Sequence, residues 1–259
     1  MGKADKFLKL ITILKKLRAS GGCDWDREQT HSSLIPYLTE ETYEVIEAIE
    51  NNDSEGLKEE LGDLLLHVLF QAELSSEKNE FDIFDSIDSI NDKLVSRHPY
   101  VFNKDPNDQT QDKEGSWEKS KKKEKKRDSV LEGVPKSLPG LLRSRRIQEK
   151  AASVGFDWKV VEPIISKIEE ELNEVRDAIQ KKNQEEIEME LGDLMFSVVN
   201  LSRFYNIDPE SALKKSTNKF VRRFNQIEER IAADGGSIED LDLETMDKIW
   251  DQIKETENK

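Results

Sequence analysis

Apolar residues recur at helical spacing along the chain, and helices are the elements that this pattern predicts. The stretch 59–68, EELGDLLLHV, is apolar from Leu64 onward except at His67, which is typical of a helix bordering a core. Pro36 and Pro163 stand near the starts of other periodic segments. The predicted helices cover 3–19, 37–51, 54–76, 82–98, 138–152, 162–182, 184–205, 209–232 and 243–257. No segment has the pattern of a strand, so the sequence predicts an all-α protein without a significant β-sheet.

Four carboxylates interrupt this pattern on two consecutive predicted helices. Glu41 and Glu44 share one helical face, and Glu60 and Asp63 share a face of the next helix. The break between the helices is short, so they are predicted to be antiparallel neighbours that bring the four side chains together. Carboxylates are rarely buried unless they are paired or bound to a metal. The grouping therefore predicts a site for cations.

The chain contains this arrangement twice. MELGDLMFSV at 189–198 matches EELGDLLLHV at an offset of 130 residues, and EELNEV at 170–175 matches EETYEV at 40–45 at the same offset. A duplicated structural feature would also repeat, so the duplication alone does not establish chemistry. The acidic positions of the second copy are Glu171, Glu174, Glu190 and Asp193.

The tryptophans support a tandem duplication that covers most of the chain. Trp25 and Trp117 are 92 residues apart, and so are Trp158 and Trp250. A stretch with two prolines and two glycines, EGVPKSLPG, reads as the connection between the copies. The predicted organisation is a first helical repeat at 1–128, a linker at 129–137 and a second repeat at 138–259.

Composition narrows the class of protein. Of 259 residues, 37% are charged and 35% hydrophobic, and the formal net charge is −15, which disfavours general nucleic-acid binding. The basic run KSKKKEKKR at 119–127 is interpreted as a solvated linker or helix end, with phosphate contact as the alternative. The single Cys23 permits no intrachain disulfide, and no segment has the roughly 18 apolar residues of a membrane span. We therefore expect a cytoplasmic protein.

The side chains available as ligands indicate which metal ion the predicted site would bind. Each second helix carries Glu-x-x-Asp and not the Glu-x-x-His of di-iron bundles, so an all-oxygen site for Mg²⁺ is expected, with Mn²⁺ as the other suitable cation. His67 is replaced by Ser197 in the second copy and is interpreted as a hydrogen-bonded core histidine. The alternative for the carboxylates is a solvated acidic face. It is weaker for Asp63 and Asp193, because apolar residues follow both directly.

These motifs resemble the MazG-type nucleoside triphosphate pyrophosphohydrolases in their tandem-domain form. The similarity rests on Glu-Glu-x-x-Glu followed by Glu-Leu-Gly-Asp, as EETYE/ELGD and EELNE/ELGD, and on further stretches such as RHPYVF at 97–102 and VGFDW at 154–158. The resemblance implies an all-α enzyme, usually dimeric, that uses Mg²⁺ to split nucleoside triphosphates into monophosphate and pyrophosphate. It implies that the carboxylates of both copies hold metal.

Two positions depart from the family pattern. Asp24 stands where the family commonly has proline between cysteine and tryptophan, and Glu186 stands where a basic residue often helps to bind phosphate.

Candidate substrate contacts lie on the C-terminal helices. Lys219 and Arg223 are spaced i and i+4 and offer two cations for phosphate. Trp250 offers a face for a base, and Lys254 a further phosphate contact, while Lys121 lies near the end of the first repeat. The alternatives are a solvated helix face for the basic pairs and core packing for the tryptophan. No Gly-x-x-x-x-Gly-Lys phosphate loop is present in the sequence.

The second repeat is the favoured catalytic copy, because KFVRRF is more basic than KLVSRH and because the resemblance favours the C-terminal copy of tandem relatives. The reaction expected is metal-assisted hydrolysis, in which the general base is one of the glutamates and is not identified. The predicted catalytic residues are Glu171, Glu174, Glu190 and Asp193.

Two other readings of the sequence remain open. In the first, the chain is a non-catalytic module that binds Mg²⁺ or nucleotide and regulates a partner. In the second, it is a structural dimerisation protein. A homodimer is expected because so polar a chain has little core, although the two repeats packing on each other would also cover the apolar faces.

Overall fold

The computed structural model describes residues 2–102, 129–233 and 235–257. Within these ranges the chain is helical and contains no strand, so the all-α prediction is confirmed. The chain divides into two compact units, Met1–Gln111 and Asp112–Lys259, and each contains one copy of the duplicated acidic motif.

The predicted helices of the first unit agree with the structure to within two residues. The described helices are α1 (Lys3–Arg18), α2 (Asp24–Glu28), α3 (Ile35–Glu50), α4 (Ser54–Ser76), α5 (Ile83–Arg97) and α6 (Pro99–Phe102). Helices α2 and α6 were not predicted, because five and four residues are too few to show a helical period.

The second unit agrees with its prediction equally well. Its described helices are α7 (Gly140–Ala152), α8 (Glu162–Lys181), α9 (Gln184–Phe204), α10 (Pro209–Ala233) and α11 (Leu243–Glu257), with a single 3₁₀ turn at Ile238–Asp240. None of the described helices has both the length and the apolar composition that a membrane crossing requires.

The same local chemistry builds the helical hairpin of each unit. At the turn between α3 and α4, Asn52 has a left-handed backbone (φ 54°), and the Asp53 side chain accepts hydrogen bonds from the first backbone N–H groups of α4. Between α8 and α9, Lys182 is left-handed (φ 56°) and Asn183 caps α9 in the same way. Each turn therefore reverses the chain within a few residues and lays the two acidic helices side by side.

Small apolar cores hold the hairpins in place. In the first unit Leu14, Leu34 and Phe70 belong to one buried cluster. In the second unit Ile164 is buried at the start of α8, and Ile227 and Ile253 pack α10 against α11. These clusters leave one side of each hairpin to the carboxylates.

Candidate active site

Three carboxylates of the second repeat meet between α8 and α9. Glu171 and Glu174 lie one turn apart on α8, and Glu190 faces them from α9; one oxygen of each lies within 4.8 Å of the others. Glu171 is only 5% exposed, and its Oε2 has no hydrogen-bond partner among the described residues. A buried acceptor without a donor is costly, and a cation would satisfy it. The oxygen set suits a hard divalent cation.

The first repeat forms a similar but not identical group. Here one oxygen of each of Glu41, Glu60 and Asp63 lies within 4.8 Å of the others. Glu44 also approaches both glutamates, as its effect on their pKa values shows. The two hairpins thus gather the predicted carboxylates in slightly different combinations. That these groups bind metal stays a prediction.

The charge balance in the first repeat favours a bound cation. The pKa of Glu41 is raised to about 7, first by its burial and then by the charges of Glu44 and Asp63. The pKa of Glu60 is also raised, by desolvation and by Glu44. Both shifts combine burial with repulsion between neighbouring carboxylates, and a divalent cation would offset that negative charge.

In the second repeat, a lysine offsets part of the negative charge of the carboxylates. The Lys167 Nζ lies 2.8 Å from the Glu171 Oε1 and 2.8 Å from the Glu170 Oε1. These contacts raise the pKa of Lys167. The pKa of Glu174 is raised, mainly by a hydrogen bond with Glu171, and Lys167 opposes that shift. Lys167 was not among the predicted site residues, although its position four residues before Glu171 on the same helix is a signal that the sequence contains.

An aromatic pair occupies the corresponding place in the first repeat. Tyr37 stands at the position of Lys167 and stacks on His67, with ring centroids 6.4 Å apart. His67 is buried, as predicted, but the predicted hydrogen bond is not formed, because its Nε2 lies 3.9 Å from the Glu41 Oε1, beyond hydrogen-bond distance. Its Nδ1 has no hydrogen-bond partner in the described part of the chain. Burial lowers the pKa of this histidine, so it adds little positive charge.

A cavity of about 750 Å³ adjoins the carboxylates of the second repeat. Glu171, Lys167 and Asp193 lie in its wall, so Asp193, which is outside the group of three, faces the same space. Phe156 and Trp158, both from the VGFDW stretch, contribute aromatic surface. The volume is within the range of small-molecule sites.

Comparison with known proteins agrees with this geometry. The model of the MazG nucleotide pyrophosphohydrolase domain matches residues 29–102 and 161–227, which include both acidic hairpins. The chain belongs to the MazG family.

Two of the relatives that match the chain do so along almost its whole length, and a third matches about two thirds of it. The nucleoside triphosphate pyrophosphohydrolase/pyrophosphatase MazG of Thermotoga maritima is 49% identical, with 96% of this chain and 95% of that protein covered. The nucleoside triphosphate pyrophosphohydrolase of Escherichia coli K12 is 42% identical, with 96% and 97% covered. A protein of that name from Mycobacterium tuberculosis is 33% identical over 64% of this chain and 51% of its own length.

The predicted substrate-binding residues of this MazG chain form a separate group on α10 and α11. Arg223 lies over the Trp250 ring at 5.5 Å and is paired with Glu257, with 2.7 Å between the Arg223 Nη2 and the Glu257 Oε2. The Lys254 Nζ lies 3.0 Å from the Asp251 Oδ1, and Lys219 is exposed one turn before Arg223.

None of the residues of that group lines the cavity beside the carboxylates. Trp250 packs partly against the apolar cluster between α10 and α11, as the core-packing alternative anticipated. Lys121 lies outside the described residues. The binding roles of all five residues stay predictions.

Proposed function

We propose that the chain hydrolyses nucleoside triphosphates to nucleoside monophosphate and pyrophosphate. The observation that carries the proposal is the pair of carboxylate hairpins in a chain whose close relatives are named nucleoside triphosphate pyrophosphohydrolases. In this reaction water attacks the α-phosphorus, the bond between the α-phosphorus and the bridging oxygen breaks, and pyrophosphate leaves.

The carboxylates supply two kinds of chemistry. Glu171, Glu174, Glu190 and Asp193 would hold the cation, which when bound supplies positive charge for the triphosphate and for the departing pyrophosphate. One of the glutamates accepts the proton that the attacking water loses. A hydrogen bond with Glu171 raises the pKa of Glu174, which makes its carboxylate a stronger base than an unperturbed glutamate.

We propose Mg²⁺ as the physiological cation, with Mn²⁺ as a substitute. The donors that the described hairpins bring together are carboxylate oxygens, without a nitrogen or sulfur ligand in either group. Hard oxygen ligands suit these two ions better than zinc or copper.

We assign catalysis to the second repeat. Its carboxylates adjoin both a cation, Lys167, and a cavity large enough for a nucleotide. A triphosphate approaching an acidic protein needs such positive charge. Lys219 and Arg223 remain candidates for phosphate contact, because Lys219 is exposed and the pairing of Arg223 with Glu257 can be exchanged for phosphate.

We further propose a homodimer in the cytoplasm. In the first repeat Leu61, Leu65 and Val68 form an exposed apolar stripe on α4. The second repeat exposes the same stripe, at the corresponding positions on α9: Leu191, Met195 and Val198. A regular exposed apolar stripe of this kind supports association between helices of two chains. Light scattering at micromolar concentration should therefore give twice the monomer mass. A monomeric mass would reject the dimer.

Product analysis tests the reaction. The purified protein is incubated with a panel of NTPs and dNTPs, with and without Mg²⁺, and the products are separated by chromatography. We expect monophosphate and pyrophosphate only when Mg²⁺ is present. Diphosphate and phosphate would contradict the reaction, and nucleotide binding without turnover would favour the non-catalytic module.

A further inference from the structure

A single carboxylate of the second repeat is shared by two arginines. Glu257 is the last residue of α11, and Arg222 and Arg223 are neighbours on α10. The Glu257 Oε1 accepts hydrogen bonds of 2.8 Å from the Arg222 Nη2 and 3.2 Å from its Nε. The Glu257 Oε2 accepts a 2.8 Å hydrogen bond from the Arg223 Nε and lies 2.7 Å from the Arg223 Nη2. Each carboxylate oxygen is thus held by the same edge of one guanidinium group.

The arrangement is one that a phosphate group can adopt. Arginine binds carboxylates and phosphates alike, through pairs of N–H donors. A phosphate or pyrophosphate group carries more negative charge than a carboxylate, so its attraction to two guanidinium groups is stronger. Arg222 and Arg223 therefore form an anion site that a side chain of the same chain fills.

Arg223 is held in place by more than the carboxylate. Its guanidinium carbon lies 5.5 Å from the centre of the Trp250 ring, and its side chain is 15% exposed. Trp250 is in turn packed against Phe220, with ring centroids 5.2 Å apart, and against the apolar cluster of α10 and α11. A cation over a packed aromatic ring keeps its position when one of its other partners leaves. The departure of Glu257 would therefore leave a formed site.

Glu257 is held by the arginines and not by its own helix. It lies at the C-terminal end of α11, where the helix dipole disfavours a negative charge and where helices fray. Hydrogen bonds from Arg223 and Arg222 lower the pKa of Glu257, so its carboxylate is ionised at neutral pH. Because it is tethered to the site, it competes with free anions at a high effective concentration.

We infer that Glu257 is an internal competitor for phosphate, which occupies Arg222 and Arg223 until a more highly charged anion displaces it. The contact is autoinhibitory, because it lowers the affinity of the arginines for a phosphate or pyrophosphate group. That the anion belongs to a nucleotide rests on the proposed function.

The test measures the binding of inorganic pyrophosphate to the intact protein by calorimetry in EDTA. The chelator removes divalent cations from the carboxylate hairpins, so that the anion reports on the arginines. We expect Glu257→Gln, which removes the charge and keeps the shape, to bind pyrophosphate at least about threefold more tightly than the wild type. Loss of a merely structural ion pair gives no such gain. Equal or weaker binding by Glu257→Gln would overturn the inference.

Two matched variants identify the source of the gain. Glu255→Gln makes the same change of charge on α11, two residues earlier and on another face of the helix, and should bind pyrophosphate as the wild type does. Adding Arg223→Met to Glu257→Gln should abolish the gain. An equal gain in Glu255→Gln, or a gain that survives the loss of Arg223, would overturn the inference. Glu257→Ala repeats the comparison if Glu257→Gln does not fold.

Kinetics with ATP and Mg²⁺ separate this inference from the reaction. If the arginines bind the triphosphate, Glu257→Gln should lower KM by about threefold and change kcat by less than twofold. Tighter pyrophosphate binding without turnover by any form of the protein would reject the proposed function and support the internal competitor. Turnover by the wild type with equal pyrophosphate binding by wild type and Glu257→Gln would support the function and reject the competitor. Tighter pyrophosphate binding with an unchanged KM would support the competitor and assign the site to free anions.

Discussion

The two acidic hairpins differ in their neighbours far more than in their carboxylates. In the second repeat Lys167 lies 2.8 Å from Glu171, whereas the first repeat has Tyr37 at that position, stacked on His67. Burial, and then the charges of Glu44 and Asp63, raise the pKa of Glu41 in the first repeat to about 7. The two copies of the acidic motif therefore lie in different surroundings, one beside a lysine and the other beside an aromatic pair.

The space beside the hairpins differs as well. The 750 Å³ cavity of the second repeat contains Glu171 and Asp193 in its wall. A cavity of about 340 Å³ in the first repeat is lined by Arg18, His31 and other residues, and by none of the four carboxylates. The two hairpins therefore differ in these neighbouring cavities as well as in their neighbouring side chains.

The largest expected effect comes from the matched aspartates. We expect Asp193→Asn to lower kcat/KM for NTP hydrolysis by at least a hundredfold, about 2.7 kcal/mol of transition-state stabilisation. Asp193 lies with Glu171 in the wall of the cavity. Asp63→Asn should cost much less. Pyrophosphate release from both variants, after circular dichroism confirms folding, checks this. Equal losses would mean that both hairpins contribute to turnover, and a larger loss from Asp63→Asn would reverse the assignment.

A smaller effect is expected from the residue that distinguishes the hairpins. Lys167→Met removes the cation beside Glu171 and should reduce turnover by about tenfold, through weaker binding of the triphosphate. Tyr37→Phe, which removes only a hydroxyl at the equivalent position, should change turnover by less than twofold. Steady-state kinetics at low and high salt measure both. A Lys167 variant with wild-type KM and kcat would show that the lysine only supports the fold.

Metal binding should appear in both hairpins as thermal stabilisation. Saturating Mg²⁺ should raise the melting temperature by several degrees, since a ligand at a hundred times its Kd stabilises the folded state by about 2.7 kcal/mol. Glu190→Gln and Glu60→Gln should each remove part of the shift. Scanning calorimetry with and without EDTA measures it. If Glu60→Gln leaves the shift intact, the first repeat does not bind Mg²⁺.

The smallest effect is the contribution of Glu41, in the first repeat, to the pH dependence of stability. Glu41 has a pKa of about 7 when folded, above its ordinary value of 4.5, so the folded state binds the proton more tightly than the unfolded state. Metal-free protein should therefore become more stable as pH falls from about 8 to 5, and this contribution is lost as pH rises through 7. Melting in EDTA across that range tests the sign.

The matched variants for this test lie on one helix. Glu41→Gln should flatten the pH dependence, while Glu47→Gln, at an exposed position of α3, should leave it unchanged. A wild-type melting temperature that does not change between pH 5 and 8 would contradict the raised pKa.

Helices and paired carboxylates were predictable because their signals are local. The helical period, the prolines and the Asp53 and Asn183 caps lie within single segments, and the duplication identified which acidic positions belong together. Glu171 and Glu190 were brought together correctly because only a short turn separates their helices.

The cavity of the second repeat could not be predicted from local sequence patterns. Gln148, which lines the cavity, donates a hydrogen bond to the backbone carbonyl of Phe196, 48 residues away, and a lone glutamine on a polar helix carries no signal of its own. The Arg203–Asp157 pair, 46 residues apart in the chain, is equally invisible to periodicity. Such contacts depend on how α7 and α9 pack, which composition and spacing do not determine.

The tight turns at Asn52 and Lys182 have a consequence for how the chain folds. Each turn joins two helices whose contacts are close in sequence, and local contacts of this kind close early, because little chain entropy is lost in forming them. The carboxylates of each repeat are therefore assembled by one of the fastest-forming parts of its unit. Because synthesis runs from the N-terminus, the first hairpin can form on the ribosome before the second has been made.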